Sequence, residues 1–234
     1  MRLDVLKAMN AARRGRRAGV MVTRLSDGDQ RFVEAAAIGA DPLGPELESA
    51  LRMGKSGVIR REDVDCFLTV QAPSPRLTLI GAVHISQALA PMARIVGLDV
   101  TIIDPRTAFA TPERFPDTPV LAQWPDEPLE AQPPDPYTAI CLLTHDPKID
   151  DAALAIALRS DCFYIGALGS AKTHARRLER MRAQGFDEAA LARIRAPIGL
   201  DIGAVSPAEI AVSIIGEIVA SLRKKPLRSE GQIR

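Results

Sequence analysis

The segment that most constrains the fold is 77–106, which has the pattern of a strand, a glycine turn, an amphipathic helix and a second strand. An apolar run leads into the turn at Gly81, and apolar residues then recur at helical spacing up to Gly97, a typical helix stop. The second apolar run ends at Asp104. This order predicts the opening unit of a dinucleotide-binding fold, in which a helix N-terminus faces phosphate and an acidic residue faces a ribose.

The turn after the first strand departs from the dinucleotide fingerprint G-x-G-x-x-G. Gly81 supplies the first glycine, but Val83 and Ser86 occupy the positions of the other two. A side chain at the second position blocks close approach of a pyrophosphate to the backbone. The segment therefore indicates the fold and argues against ordinary NAD(P) binding.

Composition narrows the class of protein. The 234 residues are 47% hydrophobic and 25% charged, which is enough for one large globular domain and a small one. The net charge of +1 implies neither nucleic acid nor a membrane surface as a partner. The three cysteines lie far apart in apolar runs, so neither a disulfide framework nor a Cys-x-x-Cys metal site is expected. Buried free thiols, and no signal peptide or membrane span, predict a cytoplasmic protein.

The first part of the chain predicts a small α+β domain. Residues 71–75 follow it with two prolines in a short polar stretch, which predicts a stiff linker. We therefore expect a small α+β N-terminal domain over 1–75 and a Rossmann-like C-terminal domain over 76–234. The expected N-terminal elements are a helix over 3–13, an antiparallel hairpin of 19–25 with 30–37, a helix over 45–53 and strands over 58–60 and 66–70.

The second domain is predicted to be α/β, with a parallel sheet and helices on both faces. A strand order of 3-2-1-4-5 would leave a crevice at the carboxyl edge, between the first and fourth strands. The proline-rich stretch 125–136 is expected to be an exposed connection, and 107–117 to be irregular with one short helical turn. The other expected elements are strands over 119–122, 138–143 and 162–165, and helices over 149–160, from about 171, and from a capping box at 206–209 to about 222.

Every histidine follows one of the predicted strands. His84 follows the first, His145 the fourth and His174 the fifth, so all three should lie on the crevice edge. Histidines there could donate to phosphate, bind a metal or move a proton near neutral pH. No pair has the i, i+4 spacing of a helical metal site, so we assign neither a metal site nor a catalytic residue.

A second glycine turn, Gly166 to Ser170, follows the fifth strand and leads into a helix with basic residues in its first turns. Cations at the positive end of a helix are unfavourable unless an anion binds there, so a phosphate site is predicted, with Lys172 or His174 supplying charge. The alternative to phosphate binding for Lys172 is a solvated side chain on the helix surface. The later arginines, 176, 177, 180 and 182, are interpreted as a solvated surface.

Five ordered motifs over 77–222 resemble the XdhC/CoxI family. They are Gly81-Ala82-Val83-His84, Asp104-Pro105-Arg106 with Phe109-Ala110 and Glu113-Arg114-Phe115, Leu143-Thr144-His145-Asp146, Tyr164 to Ser170, and the segment 197–210, in which Asp201 is either a local cap or a site carboxylate. Val83 departs from the family's usual G-A-G-H turn. The N-terminal part is short and lacks the family's glycine-rich segments.

The resemblance implies a non-enzymatic accessory protein. Family members bind molybdenum cofactor, as molybdopterin or its dinucleotide form, support its sulfuration and deliver it to a xanthine dehydrogenase-like molybdenum hydroxylase. A cysteine desulfurase and a homodimeric arrangement are further implied partners. An NAD(P)-dependent oxidoreductase is the alternative function. The expected cofactor-binding residues are Gly81, His84, Asp104, Arg106, Thr144, His145, Asp146, Gly166, Gly169, Ser170, Lys172 and His174.

Two roles are open for Asp104. Its carboxylate either accepts the hydroxyls of a ribose across the crevice or pairs with Arg106, which would hold it away from a ligand.

Overall fold

The computed structural model describes residues 2–61 and 64–223. The chain divides into two compact units, the first ending at Pro73 and the second beginning at Ser74.

The first unit is an antiparallel sheet with two helices. Its elements are α1 (Leu3–Arg14), β1 (Gly19–Arg24), β2 (Gln30–Glu34), a 3-10 helix (Ala35–Ala40), α2 (Gly44–Met53), β3 (Gly57–Arg60) and β4 (Asp65–Gln71). The strand order is β2-β1-β4-β3. The predicted hairpin is confirmed, with Val20 paired to Val33. The second strand ends earlier than predicted, because the alanines from Ala35 onward have low strand propensity and form the 3-10 helix.

The second unit alternates strands and helices. Its elements are β5 (Arg76–Ile80), α3 (His84–Ile95), β6 (Asp99–Ile103), β7 (Val120–Leu121), α4 (Asp126–Ala131), β8 (Thr138–Leu142), α5 (Pro147–Arg159), β9 (Tyr164–Ala167), α6 (Ala171–Ala183), α7 (Glu188–Leu191), β10 (Ile194–Arg195) and α8 (Pro207–Leu222).

These strands form one parallel sheet in the order β10-β9-β8-β5-β6-β7. The predicted order of the first five is confirmed, and β10 adds an outer strand. Leu77 of β5 pairs with Val100 on one side and with Ala139 on the other. The order therefore reverses at β5 and β8, whose carboxyl ends lie side by side at the point where this fold usually binds ligands.

Helices cover both faces of this sheet. Leu77 and Leu79 face the core beneath α3 and α8, whereas Ile80, Ile140 and Leu142 belong to the core on the opposite face, against α5 and α6. All five residues of β8 are buried. Burial on both faces explains why these strands appear in the sequence as continuous apolar runs rather than as alternating patterns.

Three details differ from the prediction. The stretch 125–136 is not only an exposed connection, because it contains α4, whose Leu129 is buried against the sheet. Pro125 and Pro128 are tolerated because they fall at the N-cap and in the first turn, where no backbone donor is needed, and the other three prolines follow the end of the helix. Strand β9 begins at Tyr164, two residues later than expected, and α7 and β10 were not predicted.

The final helix begins as the sequence predicts. Ser206 Oγ accepts the N–H of Glu209 at 3.2 Å, and Glu209 Oε2 accepts the N–H of Ser206 at 2.9 Å. This reciprocal capping box satisfies two amides of the first turn of α8. Among the helices that the structure describes, none is long and apolar enough to cross a membrane.

Candidate cofactor-binding site

The predicted site residues lie on the connections at the carboxyl edge of the parallel sheet, or on the strand end and helix starts next to them. The turn at Gly81 follows β5, Asp104 and Arg106 follow β6, Thr144 to Asp146 follow β8, and Gly166 to Ser170 end β9 and lead into α6. The topology therefore gathers the twelve residues along one edge. Which of them a ligand contacts stays a prediction.

Gly81 allows two of these connections to approach each other. Its φ is 119°, and an added Cβ would lie 2.9 Å from Thr144 Cγ2 and 3.3 Å from the Thr144 backbone nitrogen. The buried Ser86 hydroxyl donates to the Gly81 carbonyl at 2.6 Å and fixes the turn from below. The first fingerprint glycine is thus required by the packing of β5 and β8 at the crevice, before any ligand is considered.

The Asp104 carboxylate is buried and fully hydrogen-bonded. It accepts the N–H of Ala82 at 2.8 Å, the N–H of Arg106 at 2.9 Å, and two bonds from the Arg106 guanidinium at 2.9 and 2.7 Å. Burial alone would raise the pKa of Asp104, but the bonds from Arg106 and Ala82 outweigh it, and the pKa lies below its ordinary value. Four bonds use the acceptor capacity of a carboxylate. Of the two roles open for Asp104, the structure shows the ion pair with Arg106. A ribose could bind to Asp104 only by displacing Arg106.

Arginines from the connection 104–115 close over the first turn. Arg114 Nη1 donates to the carbonyls of Ala82 and Phe109, each at 2.8 Å. The guanidinium carbons of Arg106 and Arg114 lie 4.7 and 5.6 Å from the ring centre of Phe109. Both backbone polar groups of Ala82 are thus bonded within the protein, so this turn does not present the Ala82 amide to a pyrophosphate.

Helix α3 begins just beyond this turn. Val83 is its N-cap residue, has no capping side chain to offer, and packs partly against the core beneath the helix. The next residue, His84, is exposed. Two features therefore oppose a pyrophosphate at this turn. One is the side chain of Val83, as the sequence indicates, and the other is the Ala82 amide, which is already hydrogen-bonded.

The connection after β8 holds its histidine in an unusual conformation. His145 has a φ of 63° and an exposed side chain. Thr144 Oγ1 accepts the N–H of Asp146 at 3.0 Å and donates to Asp150 at 2.6 Å, while Asp146 caps α5 through the N–H of Lys148. A left-handed residue other than glycine costs about 1–2 kcal/mol, and these bonds hold it in place. Such strain is typical of functional positions.

The turn from Gly166 to Ser170 also depends on its glycines. An added Cβ on Gly166 would lie 2.5 Å from Ile198, and one on Gly169, whose φ is 133°, would lie 3.0 Å from Thr173. Ser170 Oγ accepts the N–H of Thr173 at 3.3 Å and caps α6. Lys172 is exposed in the first turn of the helix. Packing against Ile198 and Thr173 therefore requires these glycines, and the turn leads into a helix N-terminus, a favourable place for an anion.

One arginine was misinterpreted from the sequence. Arg177 is not on the solvated surface but only 2% exposed, with Nη2 donating to the carbonyl of Leu168 at 2.8 Å. Its Nε and Nη1 atoms are buried without a hydrogen-bond partner, and burial lowers its pKa. The spacing of His174, Arg177 and Met181 places them on one helix face, and this signal could have revealed the burial. Arg180 and Arg182, by contrast, pair with Asp151 and Glu188.

Asp150 is a second polar group that the sequence did not single out for the site. It is 2% exposed in the first turn of α5 and accepts the Thr144 hydroxyl. Burial raises its pKa to about 6, against the opposing effects of Thr144 and Arg177. Asp150 therefore links the connection after β8 to the buried arginine of α6.

His174 does not supply charge near neutral pH. Its Nδ1 is buried without a partner, and burial together with Arg177 lowers its pKa. A histidine with a pKa below its ordinary value is mostly neutral at pH 7. The positive charge near this turn therefore comes from Arg177 and Lys172.

The loop 197–203 is held by a half-buried acid on α8. Glu217 Oε2 accepts the Tyr164 hydroxyl at 2.6 Å and the N–H of Gly199 at 2.8 Å. Asp201 is exposed on this loop. Both roles considered for Asp201, a local cap and a site carboxylate, stay open.

Comparison with known proteins decides the family. The profile of the XdhC Rossmann domain matches residues 77–218, more than half of the chain. The chain belongs to the XdhC family. A solved structure titled as a xanthine dehydrogenase from Bacillus halodurans shares its fold, with a TM-score of 0.65 and 21% identity over 97% of this chain and 65% of that one.

Three curated relatives of this XdhC-family protein carry different names. "Uncharacterized protein YqeB" of Escherichia coli is 30% identical over 190 residues, covering 80% of this chain and 32% of that protein. A probable xanthine dehydrogenase subunit of Bacillus subtilis is 30% identical over 70% of this chain and 48% of that protein. "Molybdenum cofactor insertion chaperone PaoD" of E. coli is 32% identical over 64% of this chain and 41% of that protein. The chain thus spans a third to a half of their lengths.

The cysteines of this XdhC-family chain offer no accessible thiol. All three, Cys66, Cys141 and Cys162, are free and buried, as the sequence predicts. Burial raises the pKa of Cys141 and of Cys162. Within the described residues, no group of three or more metal-binding side chains is suited to hold a metal ion. The edge can therefore bind, orient and donate hydrogen bonds, and a thiolate nucleophile is not part of its chemistry.

Proposed function

We propose that this protein is a maturation factor that binds molybdenum cofactor at the carboxyl edge of its parallel sheet and supports sulfuration of the cofactor and its insertion into a xanthine dehydrogenase-type molybdenum hydroxylase. Family membership and the name of the related insertion chaperone support this role. The observation that carries it is the contrast between the two glycine turns. The first is closed by Asp104 and Arg114, whereas the second combines a helix N-terminus with the buried cation Arg177.

The residues present fit an anionic cofactor. Molybdopterin ends in a phosphate, and the turn from Gly166 to Ser170 would hold that group through backbone N–H groups, with Lys172 adding charge. The neutral His174 would donate a hydrogen bond. His84 and His145, both exposed, would contact the rest of the cofactor together with Thr144. Asp104 and Arg106 would act by fixing the first turn, since their bonds to each other occupy them.

Because its thiols are buried, this chain would contribute to sulfuration by holding the cofactor and not by carrying the sulfur. A protein that carries sulfur as a persulfide needs a reactive, accessible cysteine. Since Cys66, Cys141 and Cys162 are all buried, the sulfur would come from a partner such as a cysteine desulfurase. This protein would hold the cofactor while the partner acts on it. A homodimeric arrangement, which the family resemblance implies, stays a prediction.

The competing function is NAD(P)-dependent oxidation or reduction. The Rossmann-like fold is compatible with it, but the bonded Ala82 amide and the side chain of Val83 both oppose a pyrophosphate at the first turn. We therefore expect NAD(P)H to bind weakly in comparison with molybdopterin.

The test is a comparison of the two ligands by thermal shift. A ligand at a hundredfold its dissociation constant stabilises the native state by about 2.7 kcal/mol, enough to shift the melting temperature measurably. Anaerobically prepared molybdopterin should stabilise the protein, and NADPH at the same concentration should not. Stabilisation by NADPH alone would contradict the proposal. Arg176→Ala, an exposed change on α6, provides a control that should respond like the unmodified protein.

A further inference from the structure

Two oppositely charged buried side chains lie behind the Gly166–Ser170 turn, and the expected set of cofactor-binding residues includes neither. Arg177 lies on the second turn of α6, a helix of 13 residues, and Asp150 lies on the first turn of α5. Each is 2% exposed. The Arg177 guanidinium reaches the turn itself, because Nη2 donates to the carbonyl of Leu168, next to Gly169.

The remaining bonds of this guanidinium are not made. Nε and Nη1 are buried without a hydrogen-bond partner, and Asp150 attracts Arg177 electrostatically while bonding to Thr144 instead. A buried charge that keeps unsatisfied N–H groups is strongly unfavourable for folding alone. The helix N-terminus in front of it is also positive, which adds to the cost. An anion at the turn would attract both positive charges and so offset part of this cost.

We propose that Arg177 is a positioning residue for a phosphate or pyrophosphate group bound at the Gly166–Ser170 turn, with Asp150 as its charge partner when the turn is empty. The C=O and N–H of a trans peptide point in opposite directions, so the bond from Arg177 to the Leu168 carbonyl turns the Gly169 N–H away from the guanidinium. The buried charge of Arg177 is weakly screened and attracts an anion at the turn. This inference deepens the proposed function, on which it rests for the source of the phosphate.

Asp150 allows an experiment to distinguish a role of Arg177 in anion binding from a purely structural role. When ionised, its carboxylate opposes the attraction of Arg177 for the anion, so replacing it with a neutral isostere should strengthen anion binding. Since burial raises the pKa of Asp150 to about 6, the difference should be large at pH 7.5 and small at pH 5. The other charged or titratable groups around the pair are Asp146, Asp151 and Arg106, and Arg180 and His174 on α6.

The experiment measures pyrophosphate and inorganic phosphate binding by isothermal titration calorimetry at pH 7.5 and pH 5. Arg177→Met should lose about tenfold or more in affinity, Arg177→Lys should recover part of it, and the exposed Arg176→Met control should stay within about twofold. Asp150→Asn should bind more tightly than the unmodified protein at pH 7.5 and about equally at pH 5. The ligand and His174 also titrate between these pH values. Because both are present in the titration of Asp150→Asn and in that of the unmodified protein, comparing the two proteins at the same pH removes their effect.

Folding is controlled in the same set. Arg177→Met removes a buried, incompletely bonded charge but leaves the Leu168 carbonyl without its donor and Asp150 without its cation, so a lower melting temperature is expected. Circular dichroism establishes that the variant is folded before its affinity is compared, and Arg177→Lys, which keeps the charge, serves where Arg177→Met does not fold. Unchanged pyrophosphate affinity in a folded Arg177→Met would overturn the inference, as would weaker binding in Asp150→Asn at pH 7.5. Failure of the unmodified protein to bind either anion would also overturn it.

Molybdopterin separates this inference from the proposed function. If the protein binds molybdopterin and Arg177→Met binds it equally well, the inference fails and the function stands. If the protein binds pyrophosphate through Arg177 but does not bind molybdopterin, the anion site stands and the proposed function fails.

Discussion

The Asp104 carboxylate accepts the backbone N–H of Ala82 at 2.8 Å, joining the acidic end of β6 to the turn after β5. In a dinucleotide-binding fold, the first of these groups would face a ribose and the second would lie near a pyrophosphate. Here they satisfy each other, and Arg106 covers the carboxylate. The fold is retained while its usual ligand contacts are used internally.

Val83→Gly should therefore not create an NAD(P)H site. The substitution restores the second fingerprint glycine, but the Ala82 N–H stays bonded to Asp104. Fluorescence titration with NADPH should give affinities for Val83→Gly and the unmodified protein within about threefold of each other, a difference of less than about 1 kcal/mol. A tenfold gain in Val83→Gly would put the phosphate back at Gly81.

Asp104→Ala should act first on stability. It leaves the Ala82 amide and the partly buried Arg106 without their acceptor, at a cost of about 2–3 kcal/mol. Urea unfolding measures this free energy, and Asp161→Ala, at an exposed position, is the control, with an expected change near zero. Normal stability with lost molybdopterin affinity would instead make Asp104 a ligand contact.

The phosphate turn should depend on its backbone more than on its exposed charge. Gly169→Val introduces a branched side chain at a φ of 133°, against Thr173, and should abolish pyrophosphate binding. Lys172→Ala removes one exposed cation and should cost about 1 kcal/mol or less. Calorimetry on both variants tests the ranking, with Gly169→Ala as a milder version if the valine variant does not fold. A folded Gly169→Val with normal affinity would exclude this turn.

Asp150 should make stability depend on pH between about 4 and 7. Its pKa is about 6 in the folded protein and 3.8 ordinarily, so its neutral form is favoured on folding. This contribution is fully present below the ordinary pKa and is lost as pH rises through 6, by about 1.4 kcal/mol for each pH unit that separates the two pKa values. Urea unfolding of Asp150→Asn against the unmodified protein should show that dependence only in the latter. Parallel pH curves would contradict the assignment.

Much of the fold could be predicted from local signals. The apolar runs before Gly81 and after Gly97 mark two strands, and the predicted strand order is that of the dinucleotide-binding fold which this segment indicates. The capping box at Ser206 is encoded within four residues. Helix α4 was missed because proline composition argued for a loop, while the burial of Leu129 decided the outcome.

The candidate site was less predictable, because its decisive contacts join distant parts of the chain. Glycine turns and histidines are visible in the sequence, but the bond from Ala82 to Asp104 spans 22 positions and depends on the pairing of β5 with β6. Likewise, the burial of Arg177 depends on packing of α6 beside α5, although its helical spacing from Met181 points inward. From composition alone, Arg177 was interpreted as one of several surface arginines.

The absence of an accessible thiol predicts slow alkylation. Under native conditions, iodoacetamide should modify Cys66, Cys141 and Cys162 far more slowly than a free thiol, because all three are buried, and all three should react in urea. Mass spectrometry counts the adducts over time. Rapid modification of any one of them in the native protein would reopen a direct role as a sulfur carrier.

The most direct test of the account is transfer of molybdenum cofactor to a purified, cofactor-free xanthine dehydrogenase-type enzyme, measured as the rate at which activity appears. Cofactor supplied on this protein should activate the enzyme faster than the same amount of free cofactor. The gain should be lost with Gly169→Val and kept with the exposed Arg176→Ala. Equal rates with and without this protein, under conditions where it binds the cofactor, would contradict a role in maturation.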